Sequence, residues 1–149
     1  MPGDYIPSPR DFVRDHVAQY ESSGGKEGWI RPETGHRMIL VTHTGNKTGA
    51  TRKVPLMRVK DGENYVLVGS MGGQPRHPVW VHNLRANPEV EIRDGEELCA
   101  MKVREVDTEP ERTRLWEVSV GAFAPYAEYQ TRTSRRIPLF LAEPATVGA

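Results

Sequence analysis

Two polar turns that contain glycine carry the residues best suited to hold a ligand. The first follows an apolar run and offers hydroxyl, amide and cationic groups within Thr44, Gly45, Asn46, Lys47, Thr48, Gly49 and Arg52. Backbone N–H groups and cations in such a turn can converge on an anion. The second turn, Ser70-Met71-Gly72-Gly73, lets backbone approach a flat ligand because its glycines carry no side chain.

The first turn differs from a Walker phosphate loop. In that motif a glycine precedes Lys-Ser/Thr and a helix follows, whereas here Lys47-Thr48 precede Gly49 and a strand-like run follows. A solvated hairpin with charged residues is therefore the competing interpretation of this turn.

Other kinds of catalytic site have weaker support. His77 and His82 are five residues apart, which predicts different faces of one helix, so no metal site is expected. Ser70 lacks the G-x-S-x-G context of a hydrolase, and Cys99 lies in a predicted strand, where packing is the simpler role. Tyr126 and Tyr129 share a face if that segment is helical, which suits either a proton donor with its partner or a packing surface.

Composition predicts one ordinary domain spanning residues 1–149. The 20 basic and 20 acidic side chains leave no net charge, which argues against binding nucleic acid through bulk charge. A single cysteine excludes an internal disulfide and favours a cytoplasmic location. No apolar run approaches the roughly 20 residues of a membrane span, and the first residues lack the apolar region of a secretory signal.

Periodicity predicts a helix over 9–21, begun by Ser8-Pro9-Arg10-Asp11 as a capping box with proline in the first turn. Its apolar stripe is expected to pack on the core, with peripheral membrane contact as the alternative; the stripe contains Phe12, Val13, Val17 and Tyr20.

Short β-branched runs predict strands, and turn residues predict how they connect. We expect strands at 38–44, 52–59, 65–70, from 90, at 98–106 and at 137–141. Asp61-Gly62 is expected to form a tight hairpin that makes the second and third strands antiparallel neighbours, and Asp94-Gly95 to form another. Pro138 places the last strand at an edge or at a strand start.

Helices are expected between and after these strands. One covers 77–85 with Pro78 in its first turn, and another begins near Thr108 and is interrupted by Pro125. The fold class is therefore mostly β with peripheral helices, an antiparallel barrel or closed sheet over 37–142 preceded by a helix and loop over 1–36.

The central segments, ILVTHTGNKTGATRKVPL and VGSMGGQPRHPVWVHNLRANPEV, with PYAEYQ and IPLFL, resemble the deazaflavin-dependent nitroreductase family of actinobacteria. The resemblance covers residues 37–141. It implies an antiparallel split β-barrel that binds reduced coenzyme F-420, rather than FMN, and passes a hydride to a quinone, nitro compound or similar electron-poor acceptor.

The resemblance also implies roles for individual residues. The coenzyme is a flat deazaflavin with a phosphate and an acidic oligoglutamate tail. The anionic part is expected at the first turn, on Thr44, Asn46, Lys47, Thr48 and Arg52. The ring is expected to lie along Pro55, Ser70, Met71 and Gly72, with the pocket closed by Trp80 and Asn83. Ser70 and Tyr126 are expected to polarise or protonate the acceptor, and Tyr129 to line its pocket.

Three positions depart from the family pattern. Asn46 and Met71 stand where relatives usually carry cations, which predicts weaker binding of the tail, another tail length or another ligand. Phe123 stands where nitro-reducing members often have tyrosine. A non-catalytic split-barrel carrier or sensor for lipid, haem or flavin is the alternative function. Pairing into a homodimer is an expectation from fold analogy.

Overall fold

A seven-stranded antiparallel sheet forms the centre of the protein, as described by a computed structural model over residues 3–145. Its strands are β1 (Met38–Thr44), β2 (Thr51–Met57), β3 (Lys60–Asp61), β4 (Asn64–Val68), β5 (Glu89–Asp94), β6 (Glu97–Glu105) and β7 (Leu139–Pro144). The four helices are α1 (Asp11–Ser22), α2 (Val79–Ala86), α3 (Glu111–Ala122) and α4 (Pro125–Thr131). Neither these helices nor any other helical stretch in residues 3–145 is long and apolar enough to cross a membrane.

The strand order β2-β1-β5-β6-β7-β4-β3 places β2 and β3 at opposite edges of the sheet, although they are consecutive in the chain. After β2 the chain bends at Arg58, and the Val59 carbonyl then accepts the N–H of Val66 on β4 at 2.9 Å. The segment from β2 to β3 therefore forms both edges of the sheet: β2 pairs with β1 at one edge, and β3 pairs with β4 at the other. The sheet curls into a half-barrel, which brings these edges together.

This bend corrects the expected pairing of strands 52–59 and 65–70. β2 pairs along its whole length with β1, in the register Leu40↔Pro55, and only the residues after it reach β4. The hairpin at Gly62 is confirmed, because Asp61 pairs with Asn64 across a two-residue turn. Turn chemistry is local and determined the hairpin at Gly62, whereas the register with β1 decided the partner of β2.

The helices pack on the sheet through separate apolar clusters. Trp80, Val81 and Leu84 of α2 contact the face that contains Ile39 and Val41. α3 and α4 cover a second cluster around Leu115 and Tyr126, and α1 packs on Leu40. The sheet and the helices packed on it thus form the walls of a cleft along β2.

Three predicted helix starts lie two or three residues before the observed ones. α3 begins at Glu111 instead of near Thr108. α1 begins at Asp11, and the Ser8 hydroxyl accepts the N–H of Arg10 at 3.2 Å instead of forming a capping box. Pro78 precedes α2 as its cap, so His77 lies outside the helix and the expected placement of His77 and His82 on different faces of one helix is wrong. Their ring centroids are 6.0 Å apart.

The apolar stripe of α1 divides into a buried and an exposed part. Tyr20 is fully buried, and its hydroxyl donates to the Met38 carbonyl at 3.1 Å and accepts the Gly95 N–H at 2.7 Å. Phe12 is 69% exposed, so it does not share the core packing expected of the stripe.

The prediction for the last strand is confirmed in one of its two forms. Pro138 directly precedes β7, as expected of a proline at a strand start, and β7 lies inside the sheet and not at its edge.

Candidate active site

A cleft of about 990 Å³ opens along the edge strand β2. Its other walls are the turn that follows β4, the start of α2, the Phe123–Tyr129 segment and residues of α1. Of the first glycine-bearing region only Arg52 lines the cleft, whereas Ser70, Met71 and Gly72 of the second all do.

The cleft gathers most of the residues expected from sequence. The lining includes Arg52, Pro55, Ser70, Met71, Gly72, Trp80, Asn83, Tyr126 and Tyr129. Four others, Thr44, Asn46, Lys47 and Thr48, lie in the turn between β1 and β2 and do not line it. Within that turn the Thr48 hydroxyl accepts the Ala50 N–H at 3.2 Å, as in an ordinary hydrogen-bonded hairpin.

The lining is strongly cationic. It contains five cationic side chains and neither aspartate nor glutamate; the cations are Arg10, Arg31, Arg52, Lys53 and Arg76. Lys53 pairs with Glu21 of α1, whereas the four arginines have no carboxylate within 4.0 Å among residues 3–145. Unpaired arginines beside an open cleft suit a phosphate or carboxylate ligand.

The turn after β4 presents backbone to the cleft. Met71 and Gly72 adopt left-handed conformations, with φ of 45° and 63°, and a Cβ added at Gly72 would meet nothing within 4 Å. At Gly73 an added Cβ would lie 2.6 Å from the Tyr129 carbonyl oxygen. Gly73 therefore allows the turn to pack directly against α4, which brings the turn and the tyrosines to one wall.

Arg135 holds this turn in place. It donates from Nε to the Gln74 carbonyl at 2.8 Å, from Nη1 to the Gly69 carbonyl at 3.0 Å and from Nη2 to the Ser70 carbonyl at 2.7 Å. Nη1 also lies 2.9 Å from Nδ1 of His77, which must accept because a guanidinium only donates. Burial and the Arg135 charge lower the pKa of His77, consistent with a neutral ring.

The cleft also has an aromatic wall, formed by Phe123, Tyr126 and Tyr129. The Tyr126 and Tyr129 ring centroids are 6.3 Å apart, and Phe123 lies 5.0 Å from Tyr126. The two tyrosines therefore share a surface, as their spacing predicted. Burial raises the pKa of Tyr126, so its phenol stays protonated at neutral pH. Its hydroxyl makes no hydrogen bond within residues 3–145 and can donate to a ligand.

Asn83 connects the first turn to a buried histidine. Its Oδ1 accepts the Asn46 backbone N–H at 2.9 Å, and its Nδ2 lies 3.2 Å from Nδ1 of His43. His43 stands directly opposite Arg52 in the β1–β2 register. Burial, with a contribution from Arg52, lowers the pKa of His43 to about 4.

Sequence reasoning missed His43, Arg10, Arg31, Arg76 and Arg135 as site residues. His43 sits inside the first motif, but only pairing with β2 places it beside Arg52. Arg10, Arg31 and Arg135 are distant in sequence from both turns, so no local spacing could have found them. Residues 3–145 contain no group of three or more His, Cys, Asp or Glu side chains able to hold a metal ion.

The residues present suit a flat, anionic coenzyme. Exposed backbone at Met71-Gly72 offers a surface for a ring, and unpaired arginines on the same cleft offer partners for a phosphate and carboxylates. Tyr126 and Tyr129 on the same lining offer an aromatic surface to a second, apolar reactant.

Comparison with known proteins agrees with this geometry. The family model of the F-420H(2)-dependent quinone reductases matches residues 12–144. An F-420H(2)-dependent quinone reductase of Mycobacterium tuberculosis is 40% identical over 130 residues, which cover 86% of this chain and 87% of the relative. These matches confirm the resemblance to coenzyme F-420-dependent reductases.

Solved structures resemble the chain at two levels. The structure of the F-420-H2-dependent reductase FDR-A is 47% identical, covers 71% of this chain and 93% of its own, and has a TM-score of 0.67. A domain-swapped dimer is 42% identical, covering 91% of this chain and 100% of its own, with a TM-score of 0.71. The haem storage protein HutZ of Vibrio cholerae, at 13% identity, a TM-score of 0.55 and coverage of 85% and 88%, shares the fold alone.

The split-barrel fold expected from the resemblance is confirmed by these neighbours and by the curled antiparallel sheet. The extent of the family match and the 40% identity show that this chain belongs to the F-420H(2)-dependent quinone reductases, a family of oxidoreductases.

Proposed function

We propose that the cleft binds reduced coenzyme F-420 beside a quinone and promotes hydride transfer between them. The observation that carries this proposal is the composition of one cleft, with unpaired arginines, exposed backbone and a tyrosine wall on its lining. Coenzyme F-420, when bound, supplies the hydride. The protein's contribution is to orient the two reactants, exclude water and stabilise charge.

The arginines form the anion-binding side. In the sequence, Arg52 precedes the residues expected to hold the ring, and Arg76 follows them. Arg10 and Arg31 add charge from the N-terminal segment. These residues offset the cations absent at Asn46 and Met71. Thr44, Asn46, Lys47 and Thr48, which lie beside the cleft, would contact the outer part of the acidic tail.

The Ser70 turn and β2 form the ring-binding side. Ser70, Met71 and Gly72 would edge the ring with backbone, Pro55 would lie against it on β2, and Trp80 would cover it from α2. Asn83 would act indirectly, because both of its side-chain polar atoms are used inside the protein.

Tyr126 and Tyr129 form the acceptor side. A hydride added to a quinone carbon places negative charge on a quinone oxygen, and a phenol O–H can stabilise that charge by donating a hydrogen bond. Tyr126 carries its proton at neutral pH because burial raises its pKa. Ser70 offers a second hydroxyl on the same wall, and Tyr129 would hold the acceptor ring by contact.

The experiment is a comparison of coenzymes. Purified protein is mixed separately with coenzyme F-420, FMN and haem, and binding is followed by absorbance and fluorescence. We expect saturable binding of F-420 and oxidation of its reduced form when menadione is added. Tight binding of FMN or haem without binding of F-420 would overturn the proposal in favour of a carrier or sensor.

We also propose a homodimer, a cytoplasmic location and peripheral contact with a membrane. A similar protein forms a domain-swapped dimer, which supports a homodimer here, and light scattering coupled to gel filtration tests it. The single cysteine supports a cytoplasmic location, and the exposed Phe12 at the cleft supports peripheral contact with the membrane that holds lipophilic quinones.

A further inference from the structure

His43 is a buried polar ring on the cleft wall whose protonation state follows from its neighbours. It is 5% exposed, lines the cleft and has one ring nitrogen, Nδ1, in contact with Asn83. Nε2 makes no hydrogen bond among residues 3–145, and the ring lines the cleft, so this nitrogen is left for a ligand there.

The backbone N–H of Asn46 determines which nitrogen holds the proton. An N–H can only donate, so the Asn83 atom 2.9 Å from it must be the amide oxygen. The other amide atom is then the NH2 group, which donates to Nδ1 of His43 at 3.2 Å. A ring nitrogen that accepts carries no proton, so the proton of the neutral ring is on Nε2.

The neutral form is the one present at physiological pH. Burial and the charge of Arg52 both disfavour an imidazolium, and they lower the pKa of His43 to about 4. Nε2–H is therefore a fixed donor at neutral pH.

Two donors consequently stand side by side without a protein acceptor. His43 and Arg52 are cross-strand partners in the β1–β2 ladder, and side chains so paired lie close together on one face. Arg52 has no carboxylate within 4.0 Å in residues 3–145, and the described lining of the cleft contains none. Adjacent unsatisfied donors of this kind suit an anionic oxygen that comes from a ligand.

We propose that His43 Nε2–H and Arg52 together bind a phosphate oxygen of the coenzyme, with Asn83 as the positioning residue that holds the His43 tautomer. This inference rests on the proposed function, because the phosphate belongs to coenzyme F-420. His43 thereby becomes a binding residue that helps the protein to select the phosphorylated coenzyme over its unphosphorylated chromophore.

Two variants of similar polarity separate the donor from the packing. In His43→Gln the longer side chain carries an amide N–H to the region of Nε2, whereas in His43→Asn the shorter amide reaches only the region of Nδ1. Binding is measured by fluorescence titration with coenzyme F-420 and with the deazaflavin chromophore that lacks phosphate and tail. Thermal melting of each variant accompanies the titrations.

We expect His43→Asn to bind coenzyme F-420 about tenfold or more weakly, the scale of one hydrogen bond to a charged acceptor. His43→Gln should stay close to the parent, and the chromophore without phosphate should bind equally to all three proteins. An equal loss for both ligands would overturn the phosphate assignment, and unchanged F-420 binding by His43→Asn would overturn the role of His43.

The tautomer of His43 can be measured directly in the parent protein. Nitrogen NMR of the histidine rings should show Nε2 of His43 protonated and Nδ1 unprotonated at pH 7, and the reverse pattern would overturn the inference. A parent protein that fails to bind F-420 would overturn the proposed function and the phosphate as the acceptor, whereas the tautomer is decided by the spectrum alone.

Discussion

Arg135 and Ser70 are joined by a hydrogen bond of 2.7 Å from the guanidinium to the Ser70 carbonyl, across 65 residues of sequence. The same guanidinium donates to the carbonyls of Gly69 and Gln74, so one side chain satisfies three backbone acceptors of the turn that lines the cleft. The position of Ser70 therefore depends on a residue that follows α4.

Replacement of Arg135 by lysine should loosen that turn. The ammonium of lysine cannot donate to three carbonyls at once as the planar guanidinium does, so some of the carbonyls of the turn lose their hydrogen bonds. Coenzyme binding should therefore weaken by about 1–2 kcal/mol. Arg136→Lys is the matched control, because Arg136 is exposed and, among residues 3–145, its side chain donates only to the Asp107 carbonyl. Fluorescence titration of both variants measures the effect. Parental affinity in Arg135→Lys would show that the turn keeps its shape without the guanidinium.

Arg52→Ala should weaken binding of coenzyme F-420 by about 1–3 kcal/mol, the range for a lost hydrogen bond to a charged group. The parental affinity should also fall with added salt more steeply than that of the variant, because an exposed charge pair is screened. Lys102→Ala, on the exposed side of β6, serves as the control. Titration at low and high salt makes the comparison, and identical salt dependence in parent and variant would remove Arg52 from the anion site.

Tyr126→Phe separates chemistry from binding. The ring packing against Phe123 remains, but the hydroxyl donor is lost, so coenzyme affinity should hold while turnover with menadione falls. The loss of one donor to a developing oxyanion commonly costs about 100- to 1000-fold in rate, and an open quinone site should show less. Steady-state oxidation of the reduced coenzyme measures it. An unchanged rate would reduce Tyr126 to a packing residue.

Asp94 should contribute stability that depends on pH. Burial by itself raises the pKa of Asp94, but hydrogen bonds from Tyr65 at 2.6 Å and Arg58 at 2.8 Å, with the arginine charges, lower it below its ordinary value. The contribution is complete above the ordinary carboxyl pKa and is lost as the pH falls through the lower pKa of the folded state.

Asp94→Asn should therefore lower the free energy of unfolding by about 2 kcal/mol at pH 7, less than for a fully buried pair because Arg58 is partly exposed. Urea denaturation at several pH values measures the difference between variant and parent, which should shrink as the pH falls below the ordinary carboxyl pKa. A difference that stays constant with pH would show that packing, rather than charge, accounts for the effect.

The two halves of the α1 stripe should respond differently to substitution. Tyr20→Phe leaves the Gly95 N–H without its acceptor and should cost about 1–2 kcal/mol of stability. Phe12→Ser should change stability by less than about 0.5 kcal/mol, because Phe12 is exposed, and should reduce association with liposomes. Thermal melting and liposome sedimentation on both variants test these expectations, and liposome association unaffected by Phe12→Ser would contradict membrane contact through this residue.

Local patterns in the sequence determined the elements and much of the cleft. Alternating apolar residues and turn glycines predicted β1, β2, β4, β5 and β6 and the hairpins at Gly62 and Gly95, because these depend on neighbours a few residues apart. The two-residue strand β3 was not predicted. The order of residues around the two turns was specific enough to indicate the coenzyme family, and the tyrosine spacing predicted their shared face.

Tertiary structure alone decided how these elements meet. The separation of β2 and β3 to opposite edges of the sheet depends on sheet curvature, which balances burial across the whole chain. The hydrogen bonds from Arg135 to the Ser70 turn likewise join residues far apart in the sequence. The tautomer of His43 depends in addition on an amide that lies 40 residues further along the chain. No local spacing encodes such contacts, because they form only when long-range packing has brought the two faces together.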